Sequence, residues 1–396
     1  MKTLPTKNTV FIFLLALMLT SCQSPGFISG KIEGVKNKEV KIYLIQPETL
    51  QEVGASYFGK VIDSAIIKPD GNFKFGNIPS SAEPVLLEIA IQPTKHYPNY
   101  LQTDNPTTSN YMPIVWKSGD ELKIKARLDD FQKSISIENA SSTNLELLKL
   151  RDINLKAYQT FLEGKHWELE DGKQLLEKEH ALLNYQTELI KFSDSTLHLL
   201  PALVALRWVS PVNNYERIPE YLVRQCHKWQ KEKQNNNWVN ELCEQSEPTK
   251  LPVLVGDLFP DLQLPTITKD TISIKNELGS KLTIIDLWAS WCGPCRKENR
   301  EVLAPLWNEY HKKGLQIIAY GLESDETTWK KAVEQDGAHL WFQTSDLLGD
   351  DTPVLKKIRV QTIPANFILN DNGIVIAKNI HGKDLIEWIK NYMSNN

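Results

Sequence analysis

The pattern of apolar and polar residues changes twice along the chain, and each change predicts a different kind of structure. In the first region, from about 27 to 137, apolar and polar residues alternate with a period of two in several short runs, at 40–45, 72–75 and 122–126. Such alternation is typical of strands that bury one face. Asp70-Gly71 predicts a hairpin between the apolar residues on its two sides. A long loop is expected between Gln92 and Pro113, where Pro, Asn and Thr are frequent. This region is therefore predicted to be a small β-sandwich or barrel.

The second region, from about 142 to 245, has helical periodicity. Apolar residues recur three and four positions apart, for example at Leu147, Leu150 and Tyr158. Pro201 and Pro211 are expected to interrupt the helices. The apolar stripes predict core packing, although three tryptophans could instead form a binding face: Trp208, Trp229 and Trp238.

In the third region, strands and helices alternate after a linker at 247–252. Strands are predicted at 282–287, 315–320, 366–369 and 374–377, and helices at 295–312, 326–335 and 383–393. This order predicts an α/β domain whose sheet is mixed, because its last two strands form a hairpin. The whole chain is thus expected to be multidomain α+β. The predicted divisions are a signal peptide at 1–21, a β-sandwich-like domain at 22–138, a helical region at 139–247 and an α/β domain at 253–396.

The amino terminus indicates export. Lys2 and Lys7 precede an apolar run at 10–19, which is too short to span a bilayer as a helix but suits a secretory signal. The run ends in Leu19-Thr20-Ser21-Cys22, which resembles a bacterial lipobox and implies lipidation of Cys22. An ordinary signal peptide or an uncleaved anchor are the alternatives. Because Gln23 is not aspartate, a rule known for some bacterial lipoproteins favours the outer membrane.

Composition narrows the function classes. Hydrophobic residues make up 41% and charged residues 24% of the 396 residues, which is ordinary for a globular chain. A formal net charge of −4 gives no basic field for nucleic acid. With only five cysteines, the chain is not a disulfide-dense scaffold.

The most informative motif is a pair of cysteines where a buried strand meets a helix. Cys292 at a helix start faces free backbone N–H groups, which favour the reactive thiolate. The two intervening residues allow Cys295 to close a disulfide, and Pro294 suits the first helical turn. A short structural disulfide would gain little chain entropy. Half of a zinc site would need further ligands, and the region offers only isolated histidines, at His311, His339 and His381.

Residues 288–295, Trp-Ala-Ser-Trp-Cys-Gly-Pro-Cys, resemble the active-site segment of thioredoxins, and Trp291 belongs to that segment. The resemblance covers about 255–392. Residues 258–265 and Arg296-Lys297-Glu298 are more similar to the membrane-tethered TlpA/ResA type. The first region resembles the domain often found ahead of such modules in bacterial lipoproteins.

The resemblance implies roles for three more residues. Pro364, in Thr362-Ile363-Pro364, would be cis and shape the groove for an extended substrate chain. Asp286, six residues before Cys292, would be a desolvated carboxylate that exchanges a proton with Cys295, unless it reaches solvent at the strand end. Glu298 would tune the cysteines, or else simply complement the helix dipole.

The remaining cysteines allow several interpretations. Cys226 and Cys243 lie on two sides of a turn at 235–237 and could face each other across a helical hairpin. They are expected to form a structural disulfide or to be buried free thiols. A metal site that includes His227 is the third alternative.

These observations predict an enzyme, a thiol-disulfide oxidoreductase that reduces other envelope proteins without a cofactor or metal. Its expected partners are disulfide-bearing or thiol-bearing proteins, a membrane electron donor and the membrane surface. A disulfide isomerase or oxidase uses the same chemistry. A peroxiredoxin-type peroxidase is disfavoured, because Ile285 and Ala289 occupy the positions of its proline and threonine. The other class of function is a lipoprotein that binds a peptide, glycan or protein and carries a secondary redox domain.

Overall fold

The structure is a computed structural model, and it describes residues 26–35, 39–93, 96–168, 174–233 and 235–395. The expected signal peptide and Cys22 lie outside the described residues. The part that is described divides into an N-terminal body, 26–251, and a C-terminal domain, 253–395, each with its own hydrophobic core.

The first part of the N-terminal body is rich in β-strands, as the alternating pattern predicts. Its elements are β1 (Phe27–Glu33), β2 (Val40–Gln46), β3 (Lys60–Ile66), β4 (Asn72–Lys74), β5 (Val85–Pro93), β6 (Tyr111–Trp116), β7 (Glu121–Arg127), α1 (Phe131–Ser134) and β8 (Ser136–Glu138). They form two four-stranded sheets, in the orders β4-β1-β7-β8 and β3-β2-β5-β6. Apolar residues of both sheets share one core, so the arrangement is a sandwich.

The hairpin expected around Asp70-Gly71 is wrong. A turn is present, with Gly71 N–H donating to the Lys68 carbonyl, but β3 and β4 belong to different sheets. Gly71 has φ +85° and its carbonyl accepts from Ile32 N–H of β1. The turn therefore carries the chain from one sheet to the other, and its local sequence does not reveal the change of partner.

Five helices complete the N-terminal body: α2 (Ser142–Phe161), α3 (Leu175–Ser195), α4 (Leu199–Val209), α5 (Pro219–Glu232) and α6 (Asn237–Gln245). Pro201 does not end a helix. It lies in the first turn of α4, where a missing N–H breaks no hydrogen bond. Asn236 begins α6, because its side chain accepts from the N–H groups of Trp238 and Val239.

The helices and the sandwich share the main hydrophobic core of this body, so the change of pattern near 138 is a change of secondary structure and not of core. Asn144 of α2 exchanges two hydrogen bonds of 2.8 Å with the backbone of Val115 in β6, the edge strand of its sheet. A helix thus covers the exposed edge.

The C-terminal domain contains seven strands and five helices: β9 (Gln263–Pro265), β10 (Thr271–Ser273), β11 (Leu282–Trp288), α7 (Gly293–Glu298), α8 (Ala304–Tyr310), β12 (Leu315–Gly321), α9 (Glu326–Gln335), β13 (Phe342–Thr344), α10 (Pro353–Ile358), β14 (Ala365–Asn370), β15 (Val375–Lys378) and α11 (Gly382–Asn395). The main sheet has the order β13-β12-β11-β14-β15. The first three strands are parallel and the last two antiparallel, so the predicted mixed sheet is confirmed.

The helix expected at 295–312 differs in two respects. It starts earlier, at Gly293, and a π-helical segment, Asn299–Leu303, separates α7 from α8. Such wide turns are frequent at functional sites. Among the described residues, no helix is both long and apolar enough to cross a membrane.

Candidate functional site

Cys292 and Cys295 lie where β11 gives way to α7, and the structure joins them in a disulfide. Cys292 is the residue before the helix, and its sulfur accepts from the backbone N–H of Cys295 at 3.3 Å. The start of the helix therefore stabilises negative charge on this sulfur. Both cysteines are buried, whereas Trp291 beside them is 65% exposed. Trp291 is therefore an exposed side chain directly beside the buried pair.

A carboxylate of the neighbouring strand fixes the loop that carries the dithiol. Glu323 follows β12, and its carboxylate accepts from both the N–H and the hydroxyl of Ser290. Burial raises the pKa of Glu323, while the hydrogen bonds from Ser290 and the charge of Arg296 oppose that rise. Because β11 and β12 are parallel, their carboxyl ends meet at one sheet edge, where these residues lie.

Arg296 ties the first turn of α7 to the end of α9. Its Nη2 donates to Asp336 Oδ1 at 2.9 Å, and its Nη1 donates to the Ser290 carbonyl at 3.3 Å. Arg300 donates to the same Asp336 oxygen at 2.7 Å. Asp336 is buried, so these charge-assisted bonds hold the dithiol helix in one orientation.

Asp286 and Glu298 place two carboxyls in the interior of the C-terminal domain. Asp286 of β11 is 3% exposed and Glu298 of α7 is 4% exposed. Burial raises the pKa of Asp286 well above its ordinary value, and the charge of Glu298 raises it further. A carboxyl whose pKa is raised is a stronger base in its ionised form than an ordinary one, and is therefore better suited to accept a proton.

Glu298 also connects α7 to the start of α11. Its two oxygens accept from Gly382 N–H at 3.1 and 3.2 Å, and its Oε1 lies 3.6 Å from His381 Nδ1. Asn366 of β14 contacts the same His381 nitrogen at 3.4 Å and pairs with Asp286 in the strand register. Glu298 is therefore a buried, hydrogen-bonded carboxylate that joins two helices, and not only a surface charge that complements the helix dipole.

Pro364 follows a cis peptide bond from Ile363. It directly precedes β14, whose first residue, Ala365, pairs with Leu287 at the end of β11. The register thus places the cis peptide at the same sheet edge as the dithiol loop. In the described part of the chain, no hydrogen bond of Ile363 N–H or C=O to another residue is found.

Residues of the N-terminal body contact this cis-proline loop, 361–364. The carboxylate of Glu216 accepts from the N–H groups of Gln361 and Thr362, and Arg217 donates to the carbonyl of Pro364. Both side chains precede α5. The helical region therefore reaches the redox site.

Cys226 of α5 and Cys243 of α6 form a second disulfide, with 4.9 Å between their Cα atoms. Of the three tryptophans considered as a binding face, Trp208 is 5% and Trp229 is 0% exposed. Those two side chains belong to the core of the N-terminal body, as the helical stripes predict.

Sequence reasoning missed Glu323, Glu216 and Arg217. A signal for Glu323 was available, because it follows a buried strand parallel to the one that leads to the dithiol. Nothing local marks Glu216 or Arg217, since their partners are more than a hundred residues away.

The comparisons with known proteins support the C-terminal domain. The Redoxin family model matches residues 254–387. The thiol:disulfide interchange protein DsbE of Pseudomonas fluorescens is 26% identical over 143 residues, which are 36% of this chain and 76% of that protein. The thiol-disulfide oxidoreductase ResA of Oceanobacillus iheyensis is 25% identical over 145 residues, 35% of this chain and 71% of that protein.

A solved thiol-disulfide oxidoreductase from Bacteroides fragilis is 28% identical, with a TM-score of 0.32, and the alignment covers 34% of this chain and 98% of that one. The sequence matches and the mixed sheet identify the C-terminal domain as thioredoxin-like. The chain is an oxidoreductase enzyme, as the Cys-Gly-Pro-Cys motif predicts.

Proposed function

We propose that this chain reduces disulfide bonds of other proteins in the bacterial envelope, as a lipoprotein tethered through Cys22. The observation that carries the proposal is the Cys292–Cys295 pair at a helix start, at the sheet edge that also holds the cis-proline loop. Trp291 is exposed beside it and offers a surface to the incoming protein.

In the first step, the Cys292 thiolate attacks one sulfur of the substrate disulfide. The substrate S–S bond breaks, a mixed disulfide forms at Cys292, and one substrate sulfur leaves as a thiolate that takes up a proton. The N–H of Cys295 and the helix start lower the cost of negative charge on Cys292.

In the second step, the Cys295 sulfur attacks Cys292 and releases the other substrate sulfur. Cys295 must lose its proton. We assign that proton to Asp286, a buried carboxyl on the strand that leads into the dithiol loop, whose raised pKa makes its carboxylate a stronger base. The substrate gains two electrons and two protons, and the enzyme is left with the internal disulfide seen in the structure. A membrane dithiol donor must then reduce that disulfide before the next turnover.

Two observations support the direction and the compartment. Gly293-Pro294 is the dipeptide of reducing thioredoxins, whose potential is about −270 mV. The Cys226–Cys243 disulfide is of a kind that persists in oxidising compartments, and this agrees with export by residues 1–21. Gln23 supports the outer membrane as the site of attachment.

The competing proposal, a binding lipoprotein with a secondary redox domain, loses one of its supports. Trp208 and Trp229 are buried in the N-terminal body and offer no face to a ligand. A disulfide isomerase or oxidase retains the same dithiol chemistry, so the potential of the dithiol is the deciding quantity.

The test is the reduction potential of Cys292–Cys295 in the soluble chain from residue 23, by equilibration with dithiothreitol or glutathione and thiol trapping. A potential near or below about −250 mV supports a reductase that needs a donor. A potential near about −120 mV indicates an oxidant and overturns the proposed direction. Efficient repair of scrambled ribonuclease, with slow reduction of insulin, would favour an isomerase.

A further inference from the structure

The loop before α5 supplies a carboxylate to the cis-proline loop. Glu216 accepts three hydrogen bonds there: from Gln361 N–H at 2.9 Å, from Thr362 N–H at 3.1 Å and from the Thr362 hydroxyl at 3.2 Å. The two consecutive N–H groups of Gln361 and Thr362, just before the cis peptide, are therefore hydrogen-bonded to a side chain of the N-terminal body.

The next residue, Arg217, binds the other side of the loop. Its Nη2 donates to the Pro364 carbonyl at 2.9 Å and to the Thr362 carbonyl at 3.4 Å. Its Nη1 donates to Asn379 Oδ1 at 3.0 Å, and Glu179 of α3 lies 3.4 Å from Nη2. The side chain is 25% exposed, so solvent screens these charge-assisted bonds only in part.

With these two side chains in place, Ile363 is the residue of the loop whose N–H and C=O both lack a partner among the described residues. The N–H groups of Gln361 and Thr362 are occupied, and Pro364 has no N–H. The carbonyls on both sides of Ile363 accept from Arg217. Within the described residues, Ile363 alone in 361–364 has an N–H without a partner, and its C=O is also unpaired. Ile363 is half-buried, and an unpaired N–H and C=O on one residue can pair with an extended chain.

A second contact holds the N-terminal body against the edge of the same sheet. Lys378 of β15 forms a 2.7 Å ion pair with Glu220 of α5, and it donates to the Val253 carbonyl at 2.9 Å. The Lys378 side chain is only 6% exposed, and Glu220 also accepts from Val255 N–H at 3.0 Å. Lys378 therefore links α5 of the N-terminal body to β15 of the C-terminal domain.

We infer that Glu216 and Arg217 are positioning residues, through which the N-terminal body holds the cis-proline loop and leaves the N–H and C=O of Ile363 unpaired for the extended substrate chain that this loop is expected to bind. The inference rests on the proposed reductase function. It assigns the N-terminal body a part in binding polypeptide substrates, whereas a small disulfide that makes no strand pairing depends less on the loop.

The test uses the full soluble chain with two substrates. Insulin is reduced with dithiothreitol as the recycling reductant. A small aromatic disulfide, 5,5′-dithiobis(2-nitrobenzoate), is reduced in a single turnover by the pre-reduced chain after dithiothreitol has been removed, because dithiothreitol reduces that compound directly. Arg217→Met keeps the length of the side chain without its donors, and Glu216→Gln keeps the shape without the charge. We expect kcat/KM for insulin to fall about tenfold or more, chiefly through a higher KM, because a misplaced binding element costs affinity for the reacting geometry. The ratio of insulin to small-disulfide activity should therefore fall. Arg217→Lys keeps the positive charge but lacks the forked guanidinium, so it should retain a larger part of the insulin-to-small-disulfide ratio than Arg217→Met.

Two matched controls lie in the same helical region. Arg224→Met removes an arginine of α5 that pairs with Asp194, and Glu188→Gln removes an acid of α3 that pairs with Lys191. Both controls should keep the wild-type ratio. Thermal unfolding and the potential of the dithiol, measured on every variant, separate a change in the loop from a general loss of structure.

The outcomes distinguish the inference from the function on which it rests. A wild-type ratio in both Arg217→Met and Glu216→Gln overturns the inference and leaves the reductase proposal intact. Equal losses with both substrates, accompanied by a shifted dithiol potential, also overturn it, because the contacts would then act on the dithiol. If the wild-type chain has a reversible dithiol but does not reduce insulin, the proposed function is contradicted. The inference is then contradicted as well, because it rests on that function.

Discussion

Within the described residues, each half of this molecule contains one disulfide and at least one buried carboxyl, but only the C-terminal half has a buried carboxyl on the strand that leads into the disulfide. In the N-terminal body, Cys226–Cys243 joins α5 to α6, while Glu88 lies on β5 of the sandwich. Burial raises the pKa of Glu88 to about 8, although the Gly54 N–H and the charge of Arg207 oppose the rise. In the C-terminal domain, Asp286 lies on the strand that leads directly into the dithiol.

The comparison shows that neither a disulfide nor a perturbed carboxyl is by itself a mark of chemistry. Cys226 and Cys243 are 17 positions apart and neither lies at a helix start, so their bond closes a loop. Cys292 and Cys295 are three positions apart, and the first precedes a helix whose N–H it accepts. Position relative to a helix start, and not the bond, separates a reactive pair from a structural one.

The largest expected effect separates the two disulfides by activity. Cys292→Ser removes the attacking thiolate, so the rate of insulin reduction should fall at least about a thousandfold. Cys295→Ser should accumulate a mixed disulfide at Cys292, detectable by mass spectrometry. As the control, Cys226→Ala with Cys243→Ala should keep the wild-type rate. A comparable loss in the control would assign the second disulfide to the reaction.

The next effect separates them by stability. Loss of Cys226–Cys243 frees a loop with a sequence separation of 17, which corresponds to about 3 kcal/mol in the unfolding free energy. Alanine is the suitable replacement, because Cys226 is buried and a serine hydroxyl there would lack a partner. Urea unfolding of the double alanine variant measures the difference. A loss as small as that of Cys292→Ala with Cys295→Ala would contradict a structural role.

The redox site was predictable from the sequence because its signals are local. The residues from Trp288 to Cys295 follow a buried strand, and Pro364 directly precedes another. The α/β order and the late hairpin also follow from short-range patterns, and the mixed sheet is confirmed.

The sequence does not reveal which of several locally compatible partners a strand, a cysteine or a carboxylate will contact in the folded chain. The turn at Asp70-Gly71 is correct as a turn, yet the strands around it join different sheets, because the pairing of β4 with β1 is a long-range choice. The spacing of Cys226 and Cys243 permits a disulfide, buried thiols or a metal site, and only the packing of α5 on α6 decides. For Glu216, the partner amides belong to another domain.

A smaller effect tests the combination of carboxyl and dithiol. Asp286→Asn removes the proton acceptor for Cys295, so the rate of the second step at pH 7 should fall about a hundredfold. Stopped-flow measurement of the release of the second substrate thiol reports this step. We expect the fall in rate because the pKa of Asp286 is raised, first by burial and then by the charge of Glu298, and a raised pKa makes its carboxylate a stronger base. An unchanged rate would exclude Asp286 as the acceptor and leave it a buried structural carboxyl.

The smallest expected effect is on the unfolding free energy and concerns Glu88, the buried carboxyl of the sandwich. Since the folded-state pKa of Glu88, about 8, exceeds its unfolded value, its contribution to stability is complete at low pH and is lost as the pH rises through 8. Between pH 6 and 8 the wild-type chain should lose about 2 kcal/mol more unfolding free energy than Glu88→Gln, in which this titration is absent. Denaturant unfolding at several pH values provides the measurement.

Glu88→Gln should nevertheless reduce insulin at the wild-type rate, and this contrast with Asp286→Asn is the sharpest form of the comparison. Both side chains are buried, and burial is the first cause of the raised pKa in both. They differ in location, one beside Gly54 in the sandwich and the other in the strand that enters the dithiol loop. Parallel stability curves for Glu88→Gln and wild type would show that burial alone does not perturb this carboxyl. If Glu88→Gln slowed thiol exchange as much as Asp286→Asn, the chemistry could no longer be assigned to the C-terminal domain alone.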